Sequence, residues 1–156
     1  MSWERGRERV RELIDAGEVE PVTPDLAIAR RMLEDAGRHL ATASRAKVSG
    51  DLSGAYQLAY DALRKSAASL LEAQGLRATS RGGHLAVQEA ITSQFGTTVR
   101  VFRSFGRVRR ARNSFEYPSS DSPGPTSDDI EDAIAVATQA REAATTIFDQ
   151  GILTRW

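Results

Sequence analysis

Apolar residues recur at helical spacing along most of this chain, and the pattern needs no β-strand to account for it. The most regular stretch alternates leucine and alanine at steps of three and four residues, up to Val48. Thr23 followed by Pro24 is a typical helix start, with a hydroxyl cap and a proline in the first turn. We therefore expect a long helix that packs closely on a neighbour through Leu26, Ala29, Leu33, Ala36, Leu40 and Ala43.

The same pattern predicts four further helices. Gly75 is a typical C-terminal stop for the second long helix, and Thr126 with Asp129 forms a capping box at the start of the last one. Three of these are main helices, expected at residues 51–74, 99–116 and 127–150, and one is shorter, expected at residues 84–95. Their shared faces predict one core that contains Leu33, Leu40, Tyr60, Leu63, Leu70, Ile91, Phe105, Val108, Ile134 and Phe148.

A short amphipathic helix is expected near the N-terminus, ahead of a proline-containing linker. Its apolar residues, beginning with Trp3, either dock it on the bundle or grip a partner chain. The sequence thus predicts an all-α protein, an up-and-down bundle of four main helices plus a short N-terminal helix. Residues 1–22 form that helix and linker, residues 23–150 the bundle, and residues 151–156 a tail that folds back or makes a contact.

The segment 99–118 combines a helical apolar stripe with a run of arginines. Counting from Val101, apolar residues occupy positions i+4, i+7 and i+14, whereas Arg112 occupies i+11. Arg112 is therefore expected on the face that points towards the core. Because Pro118 disfavours a helical residue before it, the helix should end at Glu116 and Tyr117 should turn away.

Two interpretations of Arg112 are open. It is either an arginine at the edge of the core that pairs with Glu116, since arginines often bury their stems, or a planar cation beside Asn113 and the Tyr117 phenol that awaits a phosphate. In the second interpretation Glu116 holds the guanidinium and Tyr117 folds its hydroxyl back towards it. Tyr60 and Arg109 would support this site, and Arg103, Arg107 and Arg110 would bind RNA from a more exposed face.

The amino-acid composition limits the kinds of binding and catalysis that are expected. The formal net charge is zero, so any nucleic-acid binding must come from a local patch. The absence of cysteine excludes thiol catalysis and fits a cytoplasmic protein, and neither a signal peptide nor a membrane span is expected. With two histidines and no cysteine, a metal site is not expected. His84 is the candidate for imidazole chemistry, although a structural role at a helix start explains it equally.

A family resemblance builds on these residues. Arg112 and Asn113, three further residues and an aromatic that ends a helix resemble the motif of the HEPN superfamily. Its members are small helical bundles whose motif is Arg, usually Asn, a few residues and then His, near the end of a late helix. The resemblance covers about residues 24–150. Tyr117 stands in place of the motif His, and the ending Asn-x-x-Glu-Tyr-Pro is similar to that of some bacterial branches.

The resemblance implies an RNA-acting protein, in its strongest form the metal-independent ribonuclease of a toxin–antitoxin pair. It assigns stabilisation of the phosphate charge to Arg112, substrate orientation to Asn113 and the place of the proton-transfer group to Tyr117. It also implies a homodimer, a nucleotidyltransferase as candidate antitoxin and no cofactor. Two alternatives stay open: a catalytically silent module that binds RNA, a nucleotide or a partner protein, and a pure dimerisation module.

Overall fold

A computed structural model of the protein describes residues 4–156, and helices dominate this part of the chain. The predicted all-α bundle is confirmed, whereas the expected contact of Trp3 lies outside the described residues. A 3₁₀ turn, Arg100–Ser104, precedes the fifth helix. The helices are α1 (Arg7–Asp15), α2 (Leu26–Val48), α3 (Leu52–Gln74), α4 (Gly83–Phe95), α5 (Phe105–Glu116) and α6 (Ser127–Asp149).

The centre of the bundle is α3, which packs against α2, α4, α5 and α6. The predicted core is confirmed. Leu40, Ile134 and Phe148 are half-buried, and the other seven predicted core residues are buried. Ala29, Ala36 and Ala43 are fully buried along α2, which supports the close approach of helices expected from the alternating leucines and alanines.

The start of α2 differs from the prediction. Asp25, and not Thr23, is the N-cap, because its carboxylate accepts a hydrogen bond from the Ile28 amide at 3.0 Å. Leu26 is consequently in the first turn and is exposed rather than packed. The stop at Gly75, with a φ of 80°, and the capping box of Thr126 with Asp129 are both confirmed.

A small antiparallel sheet was not foreseen. Two three-residue strands, β1 (Val19–Pro21) and β2 (Leu76–Ala78), pair with Val19 opposite Ala78. They flank the α2–α3 hairpin in sequence, so the return of the chain along α3 places them side by side. Strands this short carry too few residues to show an alternating pattern, which is why the sequence did not indicate them.

The prediction of one continuous helix for the arginine-rich segment is wrong. Its first turn is the 3₁₀ turn, whose three-residue period shifts the phase of the side chains. Phe102 is therefore fully buried there, whereas Val101 is only half-buried. The predicted end of the helix at Glu116 is confirmed, with Tyr117 outside the helical region.

The C-terminal tail folds back on the bundle, which was one of the two expectations. The backbone amide of Trp156 donates to the carbonyl of Gln74 at 2.8 Å, at the end of α3. The guanidinium of Arg7 lies 5.5 Å from the centroid of the Trp156 ring. The tail thereby links α1 to the end of α3.

Candidate functional site

Arg112 is held in place by four side chains around it. Its Nε donates to Oε1 of Gln57 at 2.9 Å, and its Nη1 donates to Oδ1 of Asn113 at 3.1 Å and pairs with Oε2 of Glu116 at 2.6 Å. Its Cζ lies 5.6 Å from the centroid of the Tyr60 ring. The side chain is only 20% exposed. A guanidinium has five N–H donors, and within residues 4–156 those on Nη2 have no protein partner.

Aromatic contacts fix α5 on α3 at both ends of the site. Tyr56 meets Phe115 edge-on at 4.9 Å between ring centroids, and Tyr60 meets Phe105 edge-on at 6.0 Å. The Tyr56 hydroxyl also donates to the backbone carbonyl of Val108 at 3.5 Å. The backbone that carries Arg112 is therefore anchored on both sides of it.

Tyr60 is a buried residue whose ring packs against the guanidinium of Arg112. Its side chain is fully buried, and its hydroxyl has no hydrogen-bond partner among the described residues. Burial raises the pKa of Tyr60 to about 12, an effect that the nearby guanidinium of Arg64 opposes. The phenol is therefore neutral at pH 7 and can donate a hydrogen bond.

A third helix, α4, contributes polar groups near Tyr60. The His84 ring on α4 lies 5.5 Å from the Tyr60 ring, centroid to centroid. One turn further along α4, Oε1 of Gln88 accepts a hydrogen bond from Nε of Arg109 at 2.8 Å. Burial lowers the pKa of His84, and the positive charges of Arg64 and Arg112 lower it further.

Sequence reasoning missed several residues of this cluster. Gln57, Asp61 and Arg64 lie on the same face of α3 as Tyr60, at i, i+4 and i+7. A polar stripe at helical spacing beside Tyr60 was the available signal. His84 was singled out, but no spacing placed it near Arg112.

Tyr117 does not take part in this cluster. Its side chain is 75% exposed, and its hydroxyl makes no hydrogen bond within the described part of the chain. The expectation that this hydroxyl folds back towards Arg112 is not met, because the backbone leaves the helix at Tyr117 with φ −117° and ψ 73°. The loop beyond it is tied to α5 by a 2.6 Å hydrogen bond between the hydroxyls of Ser114 and Ser122.

The other predicted RNA-binding arginines differ in how far their charge is compensated. Arg107 pairs with Asp132 through two contacts of 2.6 and 3.4 Å, which raise the pKa of its guanidinium. Arg103 donates to the neutral carbonyl of Gly96 at 2.5 Å. Arg110 is exposed and has no polar partner among residues 4–156. Arg103 and Arg110 therefore keep a free positive charge, and Arg107 does not.

Residues 4–156 contain neither a metal-binding group nor a membrane-spanning helix. No three His, Asp or Glu side chains of residues 4–156 come together as a metal-binding group would. None of the helices in this part of the chain is long and apolar enough to cross a membrane.

Comparison with known proteins identifies the family. A family model described as HEPN domain matches residues 29–147, which include most of α2 and α6 and all of the elements between them. The chain therefore belongs to the HEPN domain family, and the resemblance carried by Arg112 and its neighbours is confirmed at that level. No curated protein and no solved structure gives a significant match to the chain.

Proposed function

We propose that this chain is an RNA-acting HEPN protein that binds a backbone phosphate at Arg112. The proposal rests on how the N–H donors of the Arg112 guanidinium are paired. Three of its donors are fixed by Gln57, Asn113 and Glu116, while Nη2 keeps its donors free within residues 4–156. A planar cation already held in one orientation loses little freedom when it binds an anion, which favours phosphate recognition.

The surroundings of Arg112 supply additional positive charge. Arg109 donates only to the neutral amide of Gln88, and neither Arg103 nor Arg110 is compensated by a carboxylate in the described residues. These side chains belong to one short segment, so their charges add locally although the chain as a whole is neutral. A negatively charged strand is therefore attracted to α5 rather than to the protein in general.

Metal-independent cleavage of the bound RNA is the activity that we propose for this site. The 2′-hydroxyl must lose a proton, the negative charge on the phosphorus oxygens must be stabilised, and the leaving 5′-oxygen must gain a proton. Arg112 stabilises the charge and Asn113 orients the strand. Tyr117, in the place of the family's His, is exposed and supplies its phenolic proton to the leaving oxygen.

The proposal includes the assembly that the family relationship implies. The protein acts in the cytoplasm as a homodimer in which Arg112 and Tyr117 of both copies border one cleft. A nucleotidyltransferase is the proposed antitoxin of the pair. This function requires neither a cofactor nor a metal.

A second candidate function is a catalytically silent interaction module. The ion pair of Arg112 with Glu116 favours it, because that pair compensates the arginine charge within the protein. The exposure of Tyr117 favours it as well, since a proton donor that makes no hydrogen bond to Arg112 or its partners in residues 4–156 does not form a complete catalytic pair. In this alternative the cluster stabilises the end of α5, and any RNA or partner binds without being cleaved.

RNA binding by variants tests whether a phosphate binds at Arg112. We expect Arg112→Ala to weaken binding of a labelled oligoribonucleotide at least tenfold in fluorescence anisotropy, and to lower the slope of log K against log salt by about one. Arg31→Ala is the matched control, because Arg31 is an exposed arginine on α2 without a partner in the described chain. Equal affinities of the two variants, with intact circular dichroism, would refute binding at Arg112.

A further inference from the structure

Tyr60 brings two chemically different groups together. The imidazole of His84 lies 5.5 Å from the centroid of its ring, and the guanidinium carbon of Arg112 lies 5.6 Å from the same centroid. The first group comes from α4 and the second from α5, while Tyr60 itself belongs to α3. Three helices thus converge on one buried phenol.

The imidazole is available for chemistry. His84 is half-buried, and neither of its ring nitrogens has a hydrogen-bond partner in the described residues. Beside Tyr60, the charged groups that act on it are Asp61 and Arg64 of α3 and the two arginines Arg109 and Arg112 of α5. Burial lowers the pKa of His84 most, and the excess of cations over the single carboxylate lowers it further, so the ring is neutral at pH 7.

Two buried polar atoms in the same cluster also lack a protein partner. The Tyr60 hydroxyl and Nε of Arg64 are shielded from solvent, and neither makes a hydrogen bond within residues 4–156. Buried polar atoms are normally paired. The Arg64 Nε–H can only donate, and the Tyr60 hydroxyl can donate or accept, so a hydrogen-bond acceptor would satisfy both atoms.

We propose that His84 is the proton acceptor of this site and that it acts on an RNA strand whose phosphate is held by Arg112. This inference rests on the proposed function and assigns the base that the exposed Tyr117 does not provide. The unprotonated ring nitrogen of His84 removes the 2′-hydroxyl proton. The 2′-oxygen then forms a bond to phosphorus, and the bond from phosphorus to the 5′-oxygen breaks.

The products follow from that balance. The 5′-oxygen takes a proton from Tyr117 or water and leaves as a 5′-hydroxyl, and the other fragment ends in a 2′,3′-cyclic phosphate. The imidazolium then returns its proton to solvent. No oxidant, reductant or metal enters the step. The substrate must therefore be RNA with a free 2′-hydroxyl at the cleaved position.

Histidine NMR tests the placement without requiring turnover. The chain has two histidines, so His39 on α2 is an internal control in the wild-type protein. We expect the His84 ring to titrate below the ordinary value of 6.5, and Arg112→Gln to raise its pKa by removing a positive charge. An oligoribonucleotide should shift the ring signals of His84 and leave those of His39 in place.

Cleavage assays test the role. His84→Asn should lower single-turnover cleavage at least a hundredfold while RNA affinity changes less than threefold, and His39→Asn should change neither. Wild-type cleavage should increase with pH through the His84 pKa and then level off, and an oligonucleotide with a 2′-deoxy residue should bind without being cut. His84→Gln replaces His84→Asn if the latter does not fold.

The outcomes distinguish this inference from the proposed function. RNA that binds through Arg112 without moving the His84 signals overturns the inference alone. RNA that binds and moves those signals, but is not cut by the wild-type protein between pH 5 and 8, overturns the proton transfer. Failure of the wild-type protein to bind RNA overturns the proposed function and this inference with it.

Discussion

Nη1 of Arg112 lies 2.6 Å from Oε2 of Glu116, one helical turn further along α5. The carboxylate compensates the arginine charge in the free protein but leaves Nη2 unoccupied. A phosphate that binds this guanidinium must therefore compete with a negative charge that is already beside it. If RNA binds this guanidinium as proposed, its affinity depends on Glu116 as well as on Arg112.

Glu116→Gln should strengthen RNA binding. Removing the competing charge is worth roughly 1 kcal/mol at a partly exposed pair, which corresponds to about fivefold in affinity. The free energy of unfolding should fall by about 0.5 kcal/mol or less, since i, i+4 pairs contribute little. Fluorescence anisotropy and urea unfolding measure the two effects.

The control for this variant is Glu142→Gln. Glu142 is exposed on α6 and forms no ion pair within residues 4–156, so its variant makes the same change in net charge away from the site. If both variants bind RNA equally, the effect comes from net charge and the phosphate does not bind next to Glu116.

Variants of Tyr117 separate cleavage from binding. Tyr117→Phe removes only the hydroxyl of an exposed side chain, so the free energy of unfolding should change by less than about 0.5 kcal/mol. If the phenol protonates the leaving oxygen, single-turnover cleavage should fall at least tenfold with RNA affinity unchanged. Unchanged cleavage in this variant would remove Tyr117 from the mechanism.

Tyr117→His is the converse experiment, because it restores the residue type of the family motif. An imidazole titrates near neutral pH, whereas a phenol does not. We expect the variant to cut RNA faster than the parent protein at pH 7. Absence of cleavage and of binding in both proteins, without toxicity in cells, would favour the silent interaction module.

Only part of this site could be predicted from the sequence, and the reason is physical. The helical period placed Arg112 on the buried side of α5 and ended the helix at Glu116, because both depend on local spacing. The contact of Tyr60 with His84 depends instead on how α3 and α4 pack, which no local pattern encodes. Tyr117 was placed wrongly for a related reason: Pro118 shows that the helix ends, but not where the next residue points.

The buried phenol of Tyr60 should make stability sensitive to alkaline pH. Its pKa is about 12 in the folded protein and about 10 in an unfolded chain. Above pH 10 the phenol ionises in the unfolded state before it does so in the folded state, which favours unfolding. The contribution of the neutral phenol to the free energy of unfolding is therefore complete below pH 10 and is lost as the pH rises towards 12. The free energy of unfolding should fall by roughly 2–3 kcal/mol through Tyr60 over this range.

Tyr60→Phe tests this dependence. Urea unfolding gives the free energy of unfolding at pH 8 and at pH 11. The decrease between these two pH values should be smaller in the variant than in the wild-type protein. Because the hydroxyl has no partner in the described protein, its removal should cost little at pH 8. A loss of more than about 2 kcal/mol at pH 8 would show that the hydroxyl is paired in the folded protein.

A homodimer with facing Arg112 sites can be tested by cross-linking, because the chain contains no cysteine of its own. Ser114 is exposed on α5 between Asn113 and Glu116, so Ser114→Cys places a single thiol beside the site. If two copies join around this cleft, mild oxidation should give a disulfide-linked dimer in high yield. Ser44→Cys, on the exposed side of α2, should stay largely monomeric on a non-reducing gel. Sedimentation of the reduced wild-type protein at tens of micromolar should give the mass of a dimer. The mass of a monomer in this experiment would contradict the shared cleft, and so would cross-linking of the Ser44→Cys variant alone.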